Sequence, residues 1–296
     1  MPTQTLIQLG EPVEHRGIVL APLFPRARPR AQYVTLDEAL GLGFQVTEVG
    51  AGGSVPEVLV ANPTDADVIV CDGEELVGAK QNRILNVTVL VPAKGVVRIP
   101  VSCVEQGRWS RRSGKFSSAG HTAYPELRRR KAERLATAPL RLGAAQDEVW
   151  SAVAEKSIRF GAYSPTGAQA HIFASRGREL ADLRGAFPLE PGQVGALLAL
   201  GPDLLCLDYI SRPEAFARLY PKLLDGYLLD ALERLDGELT PTERLEAVVE
   251  AVLAAPRRRE PSVGLGEDVR VSAKGLVGCG LELDEELLQV SAYSTA

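Results

Sequence analysis

Scarce residues and missing motifs narrow this chain first. It has four cysteines in 296 residues (Cys71, Cys103, Cys206, Cys279), widely spaced and without a CxxC pair, so a cysteine zinc site is excluded. All four sit in apolar, strand-like runs, the setting of reduced buried thiols. Three histidines (His15, His121, His171) exclude a histidine-rich metal centre. No GxGxxG follows a strand and no GxxxxGK[ST] occurs, which removes the dinucleotide-fold and P-loop readings. The absence of GxSxG removes the serine-hydrolase elbow. No apolar run approaches bilayer length, and the stretch MPTQTLIQLGEPVEHRG has no signal-peptide core. A cytoplasmic protein without membrane contact is therefore expected. A formal charge of −5 gives no whole-chain attraction to nucleic acid.

What is present reads as a folded globular chain, 45% hydrophobic and 24% charged. Several short strands lie close together near the N-terminus (Gly17 to Phe24, Phe44 to Val49, Glu57 to Ala61, Asp67 to Val70). Helical periodicity follows over Pro125 to Ala136, Gln146 to Ser157 and Phe216 to Leu235, the last divided or kinked by Pro221. Thr35 caps a short helix, and Thr240-Pro-Thr-Glu243 has the form of a capping box. Ser110 to Tyr124 lacks a hydrophobic period and reads as a loop, as does the charged stretch Pro256 to Pro261. Val269 to Ala273 and Leu276 to Leu283 form a hairpin around Lys274-Gly275, and Leu287 to Ala292 closes the sheet begun at the N-terminus. The expected fold is α+β: a mainly antiparallel, sandwich-like sheet with helices on one side and the C-terminal hairpin returning to it. With no repeat or linker, residues 1–296 read as one domain. Its parts are a β-rich core (1–109), a basic loop and helices (110–158), a mixed region (159–255) and closing strands (264–293).

The chemistry concentrates around one hairpin. Val87, Val89 and Val91 alternate with polar or outward positions, Pro92-Ala-Lys-Gly95 makes a turn, and Val97, Ile99, Val101 and Cys103 alternate back. Antiparallel pairing of Asn86–Val91 with Val96–Val104 brings two polar clusters together. One holds Asp72, Glu74, Glu75, Lys80, Gln81, Asn82, Arg83 and Asn86; the other holds Glu105, Gln106, Arg108 and Trp109. Counting by twos from Val97 places Glu105 on the apolar face, where a carboxylate is costly unless paired. Lys80, Arg83 and Arg108 are its candidate partners; the alternative is that the strand ends at Val104 and Glu105 faces water. Arg108 to Arg141 holds ten basic residues against two acids, a local charge of about +8, which forms either a phosphate-attracting rim or a solvated helix face.

Glu74, Glu105 and Lys80 are the catalytic candidates, the carboxylates as general acid and base. Lys80, Arg83 and Arg108 can clamp a phosphate or carboxylate. Gln81, Asn82 and Asn86 offer directed hydrogen bonds, and Trp109 a flat surface for a base or sugar. Together these suit a phosphorylated small molecule carrying a ribose or base. The alternative is a buried ion-pair network that pins the hairpin to the helices. No cofactor is called for, although Asp72, Glu74 and Glu105, with His121, could hold a hard divalent cation. Cys103 followed by His121 suggests a thiolate nucleophile. Cys103 nevertheless continues the apolar face of its strand, so a buried structural thiol is expected.

The blocks Gly73 to Asn86 (GEELVGAKQNRILN) and Ile99 to Trp109 (IPVSCVEQGRW) resemble the ADP-ribosylglycohydrolase- and rhodanese/phosphatase-superfamily-associated protein domain family. Similar matches are the Ser164-Pro-Thr166 turn, Leu207-Asp208 with the helix bearing Leu223-Leu224, and the C-terminal hairpin. The resemblance implies a prokaryotic domain found in the company of ADP-ribose- and NAD-processing enzymes, which become candidate partners. Two readings follow. One is a hydrolase or lyase acting on an ADP-ribose-like or other nucleotide-derived molecule. The other is a non-catalytic binding or scaffold module. They separate on whether Glu74 and Glu105 face each other across an open cleft or are each locked against a cation.

Overall fold

The apolar run Gly195–Leu200 (GALLAL) shows how the largest sheet is buried. Ala196, Leu198 and Leu200 join one hydrophobic core, while Leu197 and Ala199 join another on the opposite face. The computed structural model describes residues 6–50, 52–137, 145–201 and 204–295. In it this strand sits within a nine-stranded antiparallel sheet that runs from Ile7–Leu9 through Ile18–Pro25, Gly195–Leu200, Leu204–Ile210, Glu286–Ser294, Leu276–Leu283 and Glu267–Ala273 to Arg257–Pro261, with Val13–His15 also pairing Ile18–Pro25. The closing strand thus returns to the sheet begun at the N-terminus. Helices Pro125–Thr137, Gln146–Phe160 and Pro213–Ala231 contribute to the core on one face, and Thr242–Ala254 to the core on the other. The fold is α+β.

A six-stranded sheet carries the polar clusters. Its order is Phe116–Thr122, Glu74–Gly78, Arg83–Leu85, Val96–Cys103, Glu57–Ala61 and Gln45–Glu48. The hairpin register differs from the expected one. Val89–Val91 leaves this sheet to pair with Val68–Val70, and Val96–Cys103 pairs instead with Arg83–Leu85 (Val101 opposite Leu85, Cys103 opposite Arg83). The turn survives, with Gly95 N–H donating to Pro92 O (3.0 Å). Both valine runs suit a strand equally well, so alternation alone does not choose the partner.

Other local expectations also shift. Phe116–Thr122 is a strand, not a loop; an irregularity between Ser118 and Thr122 breaks the period that would have revealed it. Arg257–Pro261 is an edge strand whose charges suit an unpaired edge. Helix Thr242–Ala254 has no side-chain cap, because the Thr240 hydroxyl donates to Gly201 O (2.7 Å). The expected cap at Thr35 is present and is completed as a capping box by Glu38.

Helix Pro125–Thr137 docks through buried charges. Arg128 donates two parallel bonds to Asp208 (2.9 and 2.6 Å) and one to Ser291 Oγ (2.7 Å), and Tyr227 OH donates to Asp208 (2.6 Å). One turn on, Lys131 binds Asp72 and Leu85 O. One helix face therefore ties the nine-stranded sheet to the six-stranded one. Gly73, with φ +82°, clears the way: a Cβ there would lie 2.8 Å from the Arg128 side chain. The described basic residues of this helix accordingly have partners within the protein rather than forming a phosphate-attracting rim, and Arg141 lies outside the described residues. Arg128 and Lys131 are buried, Arg129 pairs with Glu133, and Arg130 with Glu148 and Glu155.

Burial would raise the Asp208 carboxyl, but the charge and hydrogen bonds of Arg128, with those of Ser291 and Tyr227, outweigh it and hold it below its usual range. Its stabilising contribution is thus complete above the unfolded value of about 3.9 and is lost as pH falls through the lower folded value. Asp208→Ala, which strands Arg128, should cost about 3–5 kcal/mol in urea unfolding. Asp208→Asn should show a shallower loss of stability below about pH 4 than the wild type. An unchanged urea midpoint for Asp208→Ala would contradict this role.

Candidate functional site

The pairing of Arg83 with Cys103 sets what meets at the end of the six-stranded sheet. Beyond it the turn Gly78–Asn82 lies beside Val104 to Arg108, and Glu105 becomes the hub. The carboxylate is buried and accepts from Arg108 Nη2 (2.5 Å), Thr166 Oγ1 (2.9 Å) and Asn82 N–H (3.2 Å). Arg112 Nη2 stands 3.9 Å from its other side, sharing Oε1 with Thr166. Arg108 also donates to Gly78 O, Ala79 O, Ser110 O and Asn82 Oδ1 (2.9–3.2 Å), so it splints the turn to the strand. Burial alone would raise the Glu105 carboxyl; hydrogen bonds from Arg108, Thr166 and Asn82 overcome this and keep it below the ordinary range.

Around the hub, Gln81 donates to Glu105 O (3.0 Å) and accepts from Arg83 (3.2 Å). Arg83 is fully buried, 3.8 Å from Glu48. Lys80 binds Gly52 O, and its Nζ lies 5.1 Å from the centre of the Trp109 indole, with Arg83 Cζ at 5.5 Å. Trp109 is 47% exposed, so a cation-supported aromatic ring stands at the surface beside the hub. Arg111 and Lys115 on the following loop are exposed and have no partner among the described residues.

Glu74 and Asn86 fall elsewhere. Leu76 is level with Arg83 and Cys103, which puts Glu74 four residues along the strands from Glu105, about 13 Å at 3.3 Å per residue. There it accepts from Lys222 (3.0 Å) and from Cys71 N–H (2.8 Å). Asn86 is at the same far end, its N–H donating to Pro100 O (3.1 Å). Glu75, its side chain directed opposite to that of Glu74 by strand alternation, reaches the hub instead. It accepts from Asn82 Nδ2 (3.1 Å), Gln169 Nε2 (2.6 Å) and His121 Nε2 (2.9 Å). Thr166, Gln169 and Arg112 were not foreseeable from the hairpin blocks; Thr166 comes from a turn, and Gln169 from the start of the helix Gln169–Ser175 that follows it, sixty or more residues away.

The oxygens considered for a cation are committed to different partners: Asp72 to Lys131, Glu74 to Lys222 and Glu105 to Arg108. Among the described residues, only Glu126, Asp230 and Glu233 bring three ligand atoms within 4.8 Å of one another, and the Lys156 ammonium bonds to all three.

The profile of the ARG and Rhodanese-Phosphatase-superfamily-associated Protein domain family matches residues 6–293. The chain belongs to this family. No curated protein and no solved structure matches it. The family's name records an association with ADP-ribosylglycohydrolase and rhodanese–phosphatase enzymes. Both hairpin blocks that carry the resemblance thus lie within the matched region, and they meet at the Glu105 hub.

In this family member the thiol beside the hub is sealed. Cys103 is buried, and its Sγ contacts Gln81 Oε1 (2.6 Å). Burial pushes the thiol up, partly offset by the Arg83 charge. Gln146 pairs with both backbone groups of Cys103, donating to its O (3.0 Å) and accepting from its N–H (2.8 Å). Iodoacetamide should therefore label Cys103 only after denaturation. Rapid labelling of the native protein at Cys103 would restore the nucleophile reading.

Proposed function

We propose that this domain is a binding module for a phosphorylated small molecule bearing a ribose or base, and that Glu105 organises the site without exchanging a proton. The observation that carries the reading is the saturation of Glu105 by Arg108, Thr166 and Asn82. A general acid needs a carboxyl that holds its proton near neutral pH, whereas these donors favour the ionised form. The separation from Glu74 argues the same way. Two carboxylates that cleave a glycosidic bond stand about 5–9.5 Å apart, less than the strand register allows here. The exposed cations Arg111, Arg112 and Lys115, with the half-buried Lys80 and with Trp109, supply attraction for an anion with a flat group. The family's association with ADP-ribosylglycohydrolase-type enzymes makes ADP-ribose and related nucleotides the first ligands to try.

A thermal-shift panel of NAD, ADP-ribose, nucleotides and divalent metals tests this. A ligand at about a hundred times its Kd should add about 2.7 kcal/mol of stability, with the shift shrinking as salt screens the exposed cations. Arg112→Ala should weaken binding by about 1.5 kcal/mol, roughly tenfold, and Glu74→Gln should leave it unchanged. Turnover of ADP-ribose that disappears in Glu105→Gln would overturn the non-catalytic reading.

A further inference from the structure

A cavity of about 220 Å³ opens beside the hub, walled by Trp150, Val153, Ile158 and Tyr163, with Gln106 and Ser164 among its polar lining. Two of its apolar walls are unusually open to solvent: Tyr163 is 73% exposed and Ile158 65%. Single exposed apolar residues are ordinary, but here two flank the mouth of one cavity. Its volume lies below the range that takes a whole drug-sized ligand, so it suits one ring system with the rest of the molecule outside.

The cavity is joined to the cationic rim through Glu105. Ser164 and Gly167 line the cavity, and Thr166 between them donates to Glu105 Oε1 (2.9 Å), the same oxygen that Arg112 Nη2 approaches (3.9 Å). Gly107 N–H also donates to Thr166 O (2.8 Å), fixing Gln106 at the cavity wall. The Thr166 hydroxyl and one Glu105 oxygen thus stand between the turn that lines the ring-sized cavity and an arginine that is 61% exposed and, among the described residues, makes no closer side-chain contact than 3.9 Å to that oxygen. A hydrophobic slot, amide and hydroxyl groups at its edge, and a largely exposed guanidinium beyond the Glu105 carboxylate match the three parts of a nucleotide.

We infer that this cavity is the nucleobase subsite and that Arg112 takes the phosphate nearest the ribose. The assignment rests on the binding-module reading and extends it: Trp150 and Tyr163, rather than Trp109, contact the base. Trp109 already supports Lys80 and Arg83 and sits on the phosphate side.

The chain has two tryptophans, so the two sides can be read separately by fluorescence. In Trp109→Phe, where Trp150 is the sole reporter, AMP should quench emission saturably, adenosine should quench it with at least tenfold weaker affinity, and ribose 5-phosphate should not quench. Tyr163→Ser, a change at an exposed position, should weaken AMP at least tenfold while leaving ribose 5-phosphate, followed by thermal shift, within twofold. Arg112→Ala should bring AMP down to the affinity of adenosine. If AMP binds by thermal shift but Trp150 emission and Tyr163→Ser are both indifferent to it, the base lies elsewhere and this inference fails while the binding module stands. If neither AMP nor ADP-ribose binds by either method, the binding-module reading falls as well.

Discussion

A carboxylate without water must be surrounded by donors, and Glu105 imposes that requirement on the whole end of the six-stranded sheet. Its position on the apolar phase of its strand buries it. Arg108 then has to fold back over the Gly78–Asn82 turn, Asn82 must present its N–H, and the distant Ser164–Gly167 turn must deliver Thr166. Each of these groups is held by further bonds, so the compensation spreads outward. Arg108 pins Gly78 and Ala79, Asn82 pins Glu75, and Glu75 recruits Gln169 and His121. A surface results whose inner layer is rigid and whose outer cations remain partly uncommitted.

The same rule governs the interior between the sheets. Arg128 and Lys131 are spent on Asp208 and Asp72, while Lys156 is spent on Glu126, Asp230 and Glu233. Breaking such pairs is far costlier than never having built them, which makes them fixed points for how the helices meet the sheets. They also take up four consecutive cations of the basic run, Arg128 to Lys131, in pairs with carboxylates. Of the described cations from Arg108 to Arg134, those on the loop, Arg111, Arg112 and Lys115, are exposed, while Arg128 to Lys131 on the helix are paired with carboxylates.

Much of this was legible in the residues. The α+β class, the helix cap at Thr35 and the C-terminal strands follow from alternation and turn chemistry, whereas Gln81, Asn82 and Arg83 meet Glu105 and Arg108 through the pairing of Arg83–Leu85 with Val96–Cys103 and not through the expected pairing of Asn86–Val91. The phase count that put Glu105 inward was sufficient to demand a cation, and Arg108 three residues on supplied it. The rest depended on choices that local pattern cannot make. Val89–Val91 and Arg83–Leu85 are both apolar-flanked and strand-competent, and which one pairs with Val96–Cys103 is decided by Val68–Val70 competing for the former. That slip carried Glu74 and Asn86 to the far end. Phe116–Thr122 hid behind its irregular pairing, and Thr166 and Gln169 lie in a separate segment with no periodicity linking it to the hairpin.

Function in this account follows from how the charges are spent: Glu105 shapes the site because it stays ionised, and ligands meet the cations and rings around it. The decisive measurement is the protonation state of that one side chain. A ¹³C NMR titration of the Glu105 carboxyl, assigned by comparison with Glu105→Gln, should show no titration between pH 5 and 8, with the proton arriving only below the ordinary glutamate value of about 4.3. A Glu105 carboxyl that titrates near neutrality would be poised as a general acid, and would contradict the structural role on which the rest of the account stands.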